Sequence, residues 1–98
     1  MGIREFQKLI ERIYLEKDAR RGPEATFRWF VEEVGELARA ARRREPAALE
    51  AEFADSFAWL STLASLHGVD LEEAAKRKYQ TGCPKCRAIP CQCQEPTY

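Results

Sequence analysis

Ninety-eight residues, 45% hydrophobic and 33% charged, make one small domain, too apolar for a disordered chain and too charged for a membrane protein. No run of 18 apolar residues occurs, which excludes a spanning helix, and no apolar export signal opens the chain at Met1-Gly2-Ile3-Arg4-Glu5-Phe6. Sixteen bases balance sixteen acids, so a nucleic-acid partner held by bulk charge is not expected. The balance is uneven along the chain: Trp29 to Glu73 carries ten acids and four bases, a net charge of −6. An acidic middle in a neutral protein suggests a cation site.

The elements follow from periodicity and punctuation. Ile3, Phe6, Leu9, Ile10, Ile13 and Tyr14 recur at three- and four-residue steps, which predicts a helix with one buried stripe. Gly22-Pro23 breaks it, and Pro23 suits the first turn of a second helix. Phe27, Phe30, Val31, Val34, Leu37 and Ala41 carry that helix to about Glu45. Pro46 opens a third, with Leu49, Phe53, Phe57, Leu60 and Leu63 on its stripe and Gly68 past its end. Asp70 with Glu73 resembles an N-cap and its box partner, which starts a fourth helix reaching about Gln80. No strand alternation is present. The expected fold is all-α, a bundle of four helices over residues 1–81 followed by a cysteine-rich tail, 82–98.

The tail holds all four cysteines and almost nothing that forms a core. Cys83-Pro84-Lys85-Cys86, then Cys91-Gln92-Cys93, places four thiols within eleven positions. That density suits a structural Zn²⁺ bound by four thiolates. Two disulfides would need an oxidising compartment, whereas a cytoplasmic setting is expected here.

Glu33 and Glu36 project from one face of the second helix, and Glu52 and Asp55 repeat the device on the third. Both pairs flank the apolar stripe, with Trp29 and Trp59 in the same sectors. A short connection at Pro46 makes the two helices antiparallel neighbours, so the acids can face each other across one groove. Four converging carboxylates repel, and a divalent cation removes the conflict. All-oxygen ligation favours Mg²⁺ or Mn²⁺.

Glu32-Glu33-Val34-Gly35-Glu36-Leu37, fourteen residues, then Glu52-Phe53-Ala54-Asp55 resembles the ExxE…ExxD signature of the MazG-type nucleoside triphosphate pyrophosphohydrolases. The resemblance continues through Gly68-Val69-Asp70-Leu71 and Lys76-Arg77-Lys78-Tyr79, covering about residues 25–80. It implies hydrolysis of an NTP or dNTP between the α- and β-phosphates, giving a monophosphate and pyrophosphate. Glu33, Glu36, Glu52 and Asp55 then match the family's Mg²⁺ ligands, and Glu32 an acid that orients or deprotonates the attacking water. Lys78 is the cation the pattern favours for the phosphates, and Trp29 and Trp59 are candidates to stack on the base. A homodimer or homotetramer is implied, and the wide apolar arc of the third helix fits that. Phosphoribosyl-ATP is an alternative substrate of the same chemistry. A non-catalytic, zinc-bearing helical adaptor is the alternative from another class. His67, near a helix end, reads as a surface residue.

Overall fold

The computed structural model describes residues 1–94, so the last four positions of the expected tail lie outside the described residues. Three α-helices are present among them: α1, Ile3–Arg43; α2, Pro46–Leu66; and α3, Leu71–Tyr79. The expected count of four is therefore corrected to three. Residues expected to form two helices run together in α1, because the break at Gly22-Pro23 consumes a single residue. Gly22 alone leaves the helical conformation, at φ 81° and ψ 167°. A residue before proline is sterically pushed out of the α region, and glycine reaches positive φ without a Cβ clash. The fully buried Thr26 closes the kink, its hydroxyl donating to the Gly22 carbonyl at 2.7 Å and accepting from Arg21 Nε at 2.9 Å.

The remaining boundaries are local chemistry. Arg44 ends α1 in the left-handed conformation (φ 55°), and Pro46 follows at the first turn of α2. Two residues thus turn the chain back, and α2 lies along α1. Gly68 (φ 70°) ends α2, with Val69 N–H donating to the Ala64 carbonyl at 2.8 Å. Asp70 then caps α3, accepting from Glu73 N–H at 3.0 Å.

The interior is small and unusually polar. Ile10, Ala40, Leu63 and Ala64 are its fully buried apolar side chains, whereas Gln7, Asp18, Thr26, Ser56, Ser61 and Thr62 are buried polar ones. Gln7 explains why α3 docks where it does. Its amide donates to Ser65 Oγ and the Val69 carbonyl, and accepts from Leu71 N–H at 2.9 Å. Arg4 adds ion pairs to Asp70 and Glu72 at 2.7 and 3.0 Å. The expected apolar stripes are only partly covered within one chain: Ile13, Phe27, Val31 and Phe53 are each more than half exposed.

Candidate active site

The antiparallel hairpin of α1 and α2 brings Glu33, Glu36 and Glu52 together, one carboxylate oxygen of each within 4.8 Å of the others. Glu33 and Glu52 are half-buried, and each holds one oxygen, Oε2, out of solvent with no hydrogen-bond partner. A buried carboxylate oxygen without a donor is costly. Burial, followed by the charges of Glu36, Glu52 and Asp55, pushes the Glu33 carboxyl up to about 7. A hard divalent cation fits this donor set, since it would satisfy the orphaned oxygens and cancel the repulsion together. Asp55 stands one turn beyond Glu52, exposed and outside the tight trio, but near enough to act on Glu33. Glu32 is exposed on α1 beside Glu33. Gly35, inside the acidic motif, meets nothing within 4 Å of an added Cβ, so no close helix among the described residues accounts for it.

The two tryptophans face each other. Their rings stack with centroids 6.1 Å apart and planes 14° from parallel, and the Arg21 guanidinium lies 4.8 Å over Trp59. Trp29 stays half exposed. Sequence reasoning missed what lies beside them. A cleft of about 270 Å³ opens next to Asp55, lined by Tyr14, Lys17, Asp18, Arg21 and Trp59 among others. Asp18 is buried at its floor, accepting from Arg21 and, at 3.1 Å, from the Thr62 hydroxyl. The one available signal was an Asp-x-x-Arg pair just ahead of Gly22-Pro23; its partner Thr62 is 44 residues away.

The other expected cation, Lys78, is exposed on α3 with its ammonium 5.6 Å from the centre of the Tyr79 ring. Lys76 and Arg77 are engaged with Glu72 and Glu73 one turn back, at 3.6 and 3.1 Å. His67 is exposed at the C-cap of α2.

The four cysteines form a second cluster, with all sulfurs mutually within 4.8 Å. All four are free thiols. Backbone N–H groups of Ala88 and Gln92 hold the Cys86 thiol down at about 6, and those of Cys86 and Lys85 lower Cys83. Hydrogen bonding with Cys91, then Cys86 and Cys83, pushes Cys93 up to about 12. Thiols this close share their protons, so one is held down while another is pushed up.

Fold and site together define an all-α protein with an acidic groove fit for a divalent cation, and with no helix among the described residues long and apolar enough to cross a membrane. The sequence model of the MazG nucleotide pyrophosphohydrolase domain matches residues 21–87, and the chain belongs to that family. The match runs from the kink in α1 past α3 and takes in Cys83 and Cys86. No curated protein matches the chain.

Proposed function

We propose that this protein hydrolyses a nucleoside or deoxynucleoside triphosphate between the α- and β-phosphates in a Mg²⁺-dependent reaction, Mn²⁺ being able to substitute. The observation that carries the reading is the trio Glu33, Glu36 and Glu52, with two buried oxygens lacking donors, in a chain of the MazG family. Asp55 completes the proposed ligand set from the rim of the groove. The bound ion supplies charge compensation and polarises phosphate oxygen and water.

The protein's own residues do the rest. Glu32 accepts the proton of the attacking water, whose oxygen bonds to the α-phosphorus. The bond from that phosphorus to the bridging oxygen breaks, and pyrophosphate leaves. Arg21 and Lys17, in the cleft shared with Asp55, offset charge on the nucleotide, with Lys78 contributing from α3. Asp18 and Thr26 hold two edges of the Arg21 guanidinium, so little rotamer freedom is lost when it binds. The stacked Trp29 and Trp59 wall the site on the base side. Seven residues, about 10 Å of helix, separate Asp55 from Thr62, which gives the cleft room for the nucleoside beyond the phosphates.

Exposed Phe27, Val31, Phe53 and Leu60 support a homodimer or homotetramer, since apolar patches of this kind on a small protein mark contact surfaces. Light scattering checks it. Reduced thiols favour the cytoplasm as the compartment. The test of the activity is pyrophosphate release from a panel of NTPs, dNTPs and phosphoribosyl-ATP with and without Mg²⁺. Release from at least one member that stops when Mg²⁺ is chelated is expected; no turnover of any member would overturn the reading and favour an adaptor.

A further inference from the structure

The acidic groove leaves the cysteine segment without a role, and its geometry can be tested against a metal. For a tetrahedral ion bound at about 2.3 Å per sulfur, neighbouring sulfurs stand about 3.8 Å apart. The observed separations are 3.6 Å for Cys83 and Cys91, 3.8 Å for Cys83 and Cys93, and 4.0 Å for Cys86 and Cys91. These are tetrahedron edges, too long for a disulfide bond.

The backbone is arranged around the same sulfurs. Gln92 N–H donates to Cys86 Sγ at 3.3 Å and Cys93 N–H to Cys91 Sγ at 3.4 Å. Such outer bonds orient thiolate ligands. The Cys83–Cys86 turn is closed from both sides, Arg87 N–H donating to the Cys83 carbonyl at 2.6 Å and Cys83 N–H to the Ala88 carbonyl at 3.1 Å. The loop folds back so tightly that a Cβ on Gly82 (φ 114°) would lie 2.8 Å from the Arg87 carbonyl oxygen.

Apolar burial does not hold this shape. Ile89 is 81% exposed, and none of residues 82–94 is fully buried. Ordering a dozen residues against their chain entropy needs another source of free energy.

We infer that Cys83, Cys86, Cys91 and Cys93 hold one Zn²⁺ as a tetrathiolate, and that residues 82–93 are a metal-folded cap on the end of α3 that plays no part in hydrolysis. Four protein ligands leave no open coordination position. Zinc is selected over Mg²⁺ by sulfur, so this small chain carries two sites of orthogonal ligand chemistry. The inference stands whether or not the nucleotide chemistry does.

The test uses the full chain, purified without chelators and without an added metal-binding tag. Elemental analysis after exhaustive dialysis is expected to give one zinc per chain. A mercurial thiol reagent should release it in step with the four thiols, and Co²⁺ in its place should show the visible absorption of a tetrahedral thiolate site. Cys86→Ser and Cys93→Ser should each retain less than a tenth of the zinc while far-ultraviolet circular dichroism keeps the α-helical signal. Wild-type protein stripped of zinc should keep that signal and its rate of nucleotide hydrolysis. The inference is overturned by four freely reactive thiols with no metal, by disulfides in freshly prepared protein, or by iron as the bound element. Loss of the helical signal on zinc removal would overturn the independence of the cap from the body.

Discussion

The acidic groove and the cysteine cap gather their ligands by opposite routes. Glu33 and Glu36 come from α1 and Glu52 from α2, so their convergence depends on how two helices pack. The four cysteines come from one stretch of eleven positions and are brought together by backbone hydrogen bonds within it. One site inherits its geometry from a folded body. The other, on the inference above, draws on its ion to keep a geometry that no buried core supports. Hard oxygens on a preformed scaffold suit an ion that must exchange and meet substrate, and soft sulfurs on an otherwise coreless loop suit one that stays.

The sharpest way to separate the two is to remove an acid. Glu36→Gln or Glu52→Gln should lower pyrophosphate release on the order of 10³-fold, about 4 kcal/mol in the transition state, with zinc content unchanged. Retained turnover would take that residue out of the ligand set. Next comes the network beneath the cleft. Asp18→Ala leaves Arg21 without its carboxylate and Thr62 without its acceptor, and should cost about 3 kcal/mol of stability. Chemical denaturation measures this; a loss of zinc in the same variant would show that body and cap are coupled.

The third effect is one of pH. With its carboxyl raised to about 7, Glu33 must give up a proton to take a cation, so Mn²⁺ affinity should rise about tenfold from pH 6 to 8, as calorimetry would read. The sign for stability is opposite. Folded Glu33 keeps its proton up to about 7, whereas the unfolded group loses it near its ordinary value of 4.5. The metal-free protein therefore loses stability as pH rises through that window, and thermal melts at several pH values should show it. A flat profile would mean that the groove opens to water without its ion. Smallest is Gly35→Ala. With nothing near the added Cβ, it should gain up to about 1 kcal/mol of helix stability; a loss would reveal a second copy or a nucleotide pressed against that face.

Much of the fold was open to reading because its signals are local. Pro46, Gly68 and Asp70 act through the φ, ψ and hydrogen bonds of their own neighbours, and α2 and α3 begin and end beside them. The Gly22-Pro23 break was also legible, but not its size: a single non-helical residue, bridged by Thr26, lets α1 run on to 41 residues. The acidic trio followed from three-residue spacing on two adjacent helices. That Asp55 sits outside it, that Trp29 and Trp59 stack on each other, and that Asp18 and Arg21 floor a cleft did not. Those facts depend on how far each helix is rotated about its axis, and a rotation of a few tens of degrees leaves the periodicity of the sequence unchanged.

The sequence by itself determined the all-helical class, the family resemblance and which residues are candidate ligands, because each is written in residue type and spacing along one chain. Only the tertiary structure decided that Glu33 and Glu52 bury oxygens with no donor, that Gln7 locks α3 to the start of α1, and that a cleft holding Lys17 and Arg21 lies beside the acids. Burial and long-range pairing are properties of surfaces in contact. Residues 44 to 64 positions apart carry no local mark of the partner they will meet.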